Sequence, residues 1–277
     1  MKIAMIGCGN MATAILSGML KSGVCAPEEI CVTDCFEEAR KKAETRFGVR
    51  ALADNREAAE GADLVIFAVK PQVLDGVLAE IRDVPGRGAA ENCTGNGGAC
   101  RPLYLSIAAG KTLDYYAMRL GADAHVVRAM PNMPAQVGQG MTGFCASEAV
   151  TPEEKELASS VLNSFGNAEE VPEKLMAAVG AVSGCSPAYI FMLIEAMADA
   201  AVAEGMPRAQ AYRFAAKAVE GSAKTVLDSG RLPADLKDAV CSPGGSTIEG
   251  VQVLEEGGFR GLVMAALRAA AGKDRKL

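Results

Sequence analysis

Short apolar runs and amphipathic stretches alternate through the first part of this chain. Apolar runs occur at Lys2–Ile6, Ile30–Asp34, Asp63–Val69, Leu103–Ile107, His125–Met130 and Thr142–Cys145. They read as short, nearly continuous strands of the kind buried on both faces. Between them, Met11–Lys21, Glu37–Phe47 and Thr151–Phe165 carry helical spacing. The last of these opens on Thr151, Pro152 and Glu154, a set suited to an N-cap, a first helical position and a first turn. The alternation predicts a doubly wound parallel α/β sheet. Residues 83–102 have no period and are dense in glycine, which predicts a long loop.

Beyond about Val171 the strand signal stops, and helical patterns cover roughly 174–183, 187–204, 208–228, 233–241, 246–256 and 259–271. On 208–228, Arg213, Lys217, Glu220, Lys224 and Asp228 form a polar stripe opposite Phe214, Val219 and Val226. The 187–204 pattern is apolar almost all round, more than a small helical domain can cover alone. A second copy of the chain is the simplest cover, so a homodimer is expected. Glu195 and Asp199, one turn apart on that helix, argue against a membrane span. The predicted division is therefore residues 1–171 for the sheet domain and 172–277 for an all-helical dimerisation domain.

Composition narrows the function. The 277 residues are half hydrophobic, with no Trp and a formal charge of −6. No Lys/Arg cluster stands out, so a nucleic-acid partner is not expected. Nine cysteines without a C-x-x-C and a single histidine, His125, offer no metal-ligand spacing. They read as reduced thiols of a cytoplasmic protein. Cys93 and Cys100 fall in the predicted loop. The apolar run Ile3–Ile6 is too short for a signal peptide.

The chemistry-bearing stretches sit at strand ends. GCGNMA, residues 7–12, fits G-x-G-x-x-A between a strand and a helix. Gly7 permits the tight turn, Gly9 lets a pyrophosphate approach, and Ala12 allows close helix packing, which makes the sheet domain Rossmann-type. The plainer reading is an ordinary tight turn. Asp34 ends the next strand, where a carboxylate can receive ribose hydroxyls and repel a 2′-phosphate, favouring NADH over NADPH. Val69, Lys70 and Pro71 end the Asp63–Val69 run, SIAAG (106–110) ends another, and RAMPNMPA (128–135) ends a third. All converge on the edge where such sheets bind ligands. Near the C-terminus, CSPGGSTIEGV (241–251) crowds Ser242, Gly244, Gly245, Ser246 and Thr247 before an amphipathic run, an arrangement suited to an anion. The plainer reading there is a helix start with no ligand.

Taken together, GCGNMA, AVKP, SIAAG, RAMPNMPA, VSGCSPAYIFMLIEAMADAA and LKDAVCSPGGSTIEGVQVLE resemble the pyrroline-5-carboxylate reductase family, in order over nearly the whole chain. The resemblance implies reduction of a cyclic imine, 1-pyrroline-5-carboxylate, to L-proline by NADH or NADPH, the last step of proline synthesis. It implies a Rossmann domain and a helical domain that interlocks with a partner's, in dimers often assembled into decamers. It places the cofactor along Gly7, Cys8, Gly9, Asn10, Met11, Asp34, Asn55, Ala68, Val69, Lys70, Pro71, Ile107, Ala108 and Ala109. The substrate carboxylate is then held around Ser242, Gly244, Gly245 and Ser246, with Pro131, Asn132 and Val240 bordering the substrate. Thr247 is the catalytic candidate, its hydroxyl bonding the ring nitrogen. The family more often has a small polar residue where Asp34 stands, and the 83–102 loop is longer here.

Two other functions stay open at this level. A β-hydroxyacid dehydrogenase shares the plan of a Rossmann domain followed by helices and would need Lys174, Lys217 or Lys224 as its catalyst. A nucleotide-binding regulator would bind cofactor and turn nothing over. An imine suits the residues better than an alcohol, because alcohol oxidation calls for a placed base and His125 lies at a strand start, away from the ligand edge.

Overall fold

The computed structural model describes residues 1–86 and 101–276, so most of the predicted 83–102 loop, with Cys93 and Cys100, lies outside the described residues. It divides into two compact units, Met1–Gly184 with the residues from Ala270 onward, and Cys185–Ala269.

The first unit is built on β1 (Ile3–Ile6), β2 (Ile30–Thr33), β3 (Arg50–Leu52), β4 (Leu64–Phe67), β5 (Leu103–Ser106), β6 (Val126–Met130), β7 (Gly140–Ala146) and β8 (Gly166–Glu170). They form one sheet in the order β3-β2-β1-β4-β5-β6-β7-β8. The chain runs outward from β1 to β3, then returns to place β4 on the other side of β1. That reversal opens the crevice where Rossmann sheets take dinucleotides. All strand pairs are parallel except β6 with β7, which run antiparallel in the otherwise parallel sheet. β3 and β8 were not predicted. The helices of this unit are α1 (Asn10–Ser22), α2 (Glu37–Phe47), α3 (Asn55–Ala59), α4 (Leu74–Ile81), α5 (Leu113–Leu120), α6 (Pro152–Asn163) and the single turn α7 (Met176–Val179).

Strand residues alternate between two cores. Ile3 and Met5 join α1 and α6 residues such as Ile15, Leu16, Val161 and Leu162 on one face. Ala4 and Ile6 face Leu74, Leu78 and Tyr116 of α4 and α5 on the other. Every β1 residue is buried, which explains its unbroken apolar run. Thr151 caps α6 by accepting the Glu154 N–H, while the Glu154 carboxylate accepts the Thr151 N–H and holds His125 Nδ1 at 2.6 Å. His125 thus stands just before β6, at the edge away from the crevice.

The predicted helix 174–183 is present with changing geometry, as a 3₁₀ turn at Glu173–Leu175, α7, and a π-helical turn at Gly180–Cys185 that runs on into the next helix. Strand content ends at Glu170, yet the compact division falls near residue 184, because 173–184 stays packed on the sheet. Glu173 Oε1 accepts the Leu113 N–H at 2.7 Å and pairs with Arg128 at 3.0 Å. Val179 lies where a Cβ on Gly143 of β7 would overlap it, at 2.7 Å.

The second unit holds α8 (Ser186–Ala203), α9 (Arg208–Ser229), α10 (Pro233–Val240), α11 (Ser246–Glu256) and most of α12 (Phe259–Asp274). α8 packs on α9 across a turn at Gly205, whose φ is +92°. Only Ala198, Ala211 and Ala215 of this unit are fully buried, while Phe191, Met192, Phe214, Leu262 and Met264 are exposed. These helices have almost no core of their own.

Candidate active site

The glycine loop joins β1 to α1. Gly7 has φ +106°, and a Cβ there would lie 2.5 Å from the Ala68 carbonyl oxygen at the end of β4. Its N–H donates to the Thr33 carbonyl at 2.8 Å, so the turn is tied to both neighbouring strands. Gly9 is the N-cap of α1 and brings no side-chain acceptor. A Cβ on Gly9 would meet nothing within 4 Å. The first helical N–H groups therefore face open space beside Gly9 and Asn10, both exposed, and Thr13 is the first to bond back, to the Gly9 carbonyl at 2.9 Å. Unpaired donors, the helix dipole and room for a close approach are what a pyrophosphate requires, and the loop fits one. Ala12 is fully buried, and Cys8 and Met11 are half-buried beneath the loop.

Asp34 follows β2. Its Oδ2 accepts the Cys8 N–H at 2.8 Å and its Oδ1 accepts the Phe36 N–H at 2.9 Å. The carboxylate is thus fixed where the second strand meets the glycine loop. Arg40 Nη1 donates to the Asp34 carbonyl at 2.5 Å, which brings a guanidinium to the same corner. Burial, reinforced by the Asp34 charge, pushes the Cys8 thiol up to about 12, so it stays protonated at neutral pH. Asn55 opens α3 nearby. Its Oδ1 accepts from Thr33 Oγ1 at 2.6 Å and its Nδ2 donates to Glu80 Oε2 at 2.7 Å. No motif in the sequence marks Thr33 or Glu80, whereas Arg40, with Lys41 and Lys42, reads there as a solvated helix face near Asp34 and instead donates to the Asp34 carbonyl. Thr33 left a signal, a hydroxyl at the last position of an apolar strand, and it is fully buried.

Two further loops leave the same edge. Ala68 donates its N–H to Ile6 at 2.8 Å and Ile107 donates to Phe67 at 3.1 Å, so the ladder continues past β4 and β5. Val69 and Pro71 are half-buried and Lys70 is exposed. Ala108 is buried between half-buried Ile107 and Ala109. After β6, Pro131 and Asn132 are buried. Asn132 Nδ2 donates to the Ser183 carbonyl at 3.2 Å and its Oδ1 accepts the Met141 N–H at 2.9 Å. Its amide holds β7 and the π-helical turn together.

In the second unit, Val240 ends α10, exposed, and residues 241–245 turn into α11. Gly244 has φ +68°, and the Gly245 N–H donates to the Ser242 carbonyl at 3.0 Å. A Cβ on Gly245 would lie 2.5 Å from Ser242 Oγ. Gly245 is the N-cap of α11 and supplies no side-chain cap. Ser242, Gly244, Ser246 and Thr247 are exposed. This is the second uncapped helix start behind a glycine turn, again a set of N–H donors with a positive dipole end. Two of the three lysines that a β-hydroxyacid dehydrogenase would need are placed otherwise. Lys217 pairs with Glu220 at 3.0 Å and Lys224 with Asp228 at 2.7 Å on exposed α9, and the Asp228 hydrogen bond raises the Lys224 pKa, so it stays charged.

Residues 173–277 match a family described as pyrroline-5-carboxylate reductase dimerisation, and residues 2–88 match one described as NADP oxidoreductase, coenzyme F420-dependent. The chain is 47% identical over 276 residues to the pyrroline-5-carboxylate reductase of Escherichia coli, covering 100% of this chain and 98% of that one. It is 42% identical to that of Synechocystis over 100% of this chain and 98% of the relative. A pyrroline-5-carboxylate reductase structure from Coxiella burnetii superposes with a TM-score of 0.88 at 34% identity, over 99% of this chain and 97% of that one. The Plasmodium falciparum pyrroline carboxylate reductase crystallised with NADP bound gives 0.85 at 28% identity, over 99% and 97%.

Proposed function

The chain belongs to the pyrroline-5-carboxylate reductase family, and on that premise we propose which of its residues perform the family's reaction. It is an NAD(P)H-dependent oxidoreductase that reduces 1-pyrroline-5-carboxylate to L-proline, the last step of proline biosynthesis. The observation that carries the residue assignment is the pair of helices that begin on a glycine N-cap behind a glycine turn, one at Gly9 and one at Gly245. A dinucleotide and a cyclic imine carboxylate each bring one anionic group in need of backbone donors.

In this reading the N–H groups of Gly7 to Met11 hold the pyrophosphate, and Asp34 and Asn55 receive the adenosine ribose. Ala68 to Pro71 and Ile107 to Ala109 border the nicotinamide half. When bound, the reduced nicotinamide supplies the hydride. The cradle from Ser242 to Ser246 holds the substrate carboxylate. Thr247, at the start of α11, offers its hydroxyl to the ring nitrogen, orienting it and relaying a proton. A protonated imine already has an electrophilic carbon, so orientation suffices and no strong base is needed. Pro131, Asn132 and Val240 border the substrate, Asn132 through its fixed backbone, since its amide is spent on Ser183 and Met141.

NADH is the better donor in this proposal. The Asp34 carboxylate meets the ribose hydroxyls of NADH and opposes a 2′-phosphate, a like-charge contact of about 1–3 kcal/mol at intermediate dielectric. Arg40, already beside Asp34, keeps NADPH usable. The protein works in the cytoplasm as a homodimer, which assembles further into decamers, with no nucleic acid and no membrane. The run Glu173–Ala203 is long and apolar enough to cross a bilayer, and it is largely exposed in the single chain. A second copy covers it here, with the domain that begins near residue 172 as the interface. One assay tests the reading. Purified protein oxidises NADH on addition of the cyclic imine and forms proline in equal amount. Cofactor binding without proline formation would leave only a nucleotide-binding protein.

A further inference from the structure

The first turn of α5 carries two adjacent tyrosines whose hydroxyls point to opposite sides of one problem. Tyr116 is fully buried among apolar neighbours, yet its hydroxyl lies 2.5 Å from the equally buried Ser106 Oγ at the end of β5. Ser106 Oγ also accepts the Ala108 N–H, at 3.3 Å. A buried hydroxyl is costly without a partner, and a phenylalanine would fill the same space, so the polar pair calls for a reason. Burial pushes the Tyr116 hydroxyl up to about 12, so the contact keeps its proton throughout the neutral range.

Tyr115 turns outward. Its hydroxyl donates to Asp75 Oδ1 at 2.9 Å, in the first turn of α4. Arg119 donates to the same carboxylate and lies over the Tyr115 ring at 3.6 Å. Lys111, directly after SIAAG, sits on that ring at 4.9 Å. The two rings meet edge to face at 5.2 Å. Asp75 follows the 68–71 loop closely in sequence, and Lys111 ends the 107–110 segment. One tyrosine pair therefore ties the first turn of α4, whose N-cap Val73 donates to the Lys70 carbonyl of the loop after β4 at 3.1 Å, to the loop after β5 that holds Ala108.

We propose that Tyr115 and Tyr116 are positioning residues for the nicotinamide half of the cofactor, holding the β4 and β5 end loops in register with each other. They touch neither cofactor nor substrate, and they act through Asp75, Lys111 and Ser106. The proposal rests on the cofactor assignment above, which places the nicotinamide half at these loops and the adenosine half at Asp34.

The test compares wild type, Tyr116→Phe, Tyr115→Phe and the double variant. The dissociation constant of NADH is read from the fluorescence of the bound dinucleotide, and that of ADP-ribose, which lacks the nicotinamide ring, by calorimetry. Loss of one hydrogen bond at a positioning contact weakens NADH by about 3–10-fold in each single variant. ADP-ribose affinity and the imine KM at saturating NADH stay within about twofold, inside the spread of ordinary surface changes. Melting temperatures separate positioning from folding, and Tyr115→Phe, at a half-exposed position, keeps the test alive should Tyr116→Phe unfold. Equal weakening of NADH and ADP-ribose, or no change in either with a wild-type melting temperature, overturns the proposal. Wild-type protein that binds neither ligand overturns the cofactor assignment itself.

Discussion

Two glycines two positions apart give opposite predictions when each becomes alanine. At Gly7, φ is +106° and the added Cβ would stand 2.5 Å from the Ala68 carbonyl oxygen and 2.8 Å from its carbon. A left-handed backbone costs an L-residue about 1–2 kcal/mol. Ala68 belongs to a strand end whose N–H bonds to Ile6, so β1 and β4 must part to relieve the overlap. A total of about 2–4 kcal/mol and a fall in Tm of roughly 5–15 °C follow for a domain of this size. At Gly9, φ is −71° and ψ is −174°, values any residue adopts, and the Cβ meets nothing. Gly9→Ala should melt within about 2 °C of wild type, as a strain-free surface change does. Its methyl group, however, stands where the pyrophosphate must approach. Losing one charge-assisted contact there costs about 1.5–3 kcal/mol, a 10- to 100-fold weaker NADH Kd. Thermal melts and NADH titrations of both variants decide the matter. A Gly9→Ala protein that binds NADH as tightly as wild type would falsify the placement of the cofactor on this loop.

Thr247→Ala should lower kcat/KM for the imine by about 10–1000-fold, the worth of one to three hydrogen bonds felt in the transition state, with the NADH Kd unchanged. A parallel loss of NADH binding would mean that the substitution disturbed the fold. Phe191, 53% exposed on α8, becomes a buried charge if changed to Asp in a dimer, so Phe191→Asp should shift the protein toward monomer by light scattering and lower activity. An unaltered dimer places the interface elsewhere. Asp34→Ser should narrow or reverse the ratio of kcat/KM for NADH over NADPH, by roughly tenfold on the charge estimate above. A wild type that prefers NADPH shows that Arg40, not Asp34, governs the corner.

The parts of this structure that were legible in the sequence are those whose chemistry sits in the backbone. Both proposed anion cradles are marked in the sequence by glycines that open a helix and offer no side-chain cap. The buried strands were legible because burial on both faces leaves an unbroken apolar run. β8 was not, since Gly166–Glu170 is an edge strand of largely polar residues, held by pairing to β7. β3 is three residues long, too short for a pattern. The helices expected separately over 174–183 and 187–204 run on through Pro187, which lacks an N–H to donate. The chain satisfies that by widening the preceding turn to a π-helix and continuing.

The site's side-chain supports were illegible for a different reason. Glu80 reaches Asn55 across 25 positions, and Asn132 reaches Ser183 across 51. No local period records such pairs, because they exist only once the sheet has ordered its strand ends. This separates two kinds of information. What class of ligand a strand end accepts is set by the backbone and is readable from glycines and a terminal carboxylate. How firmly and in what orientation it is held is set by contacts between loops, as Asp75, Ser106 and the paired tyrosines illustrate. Substitutions at the glycines should therefore decide whether cofactor binds at all, and substitutions at the supports should change affinity by small factors while leaving the reaction the same.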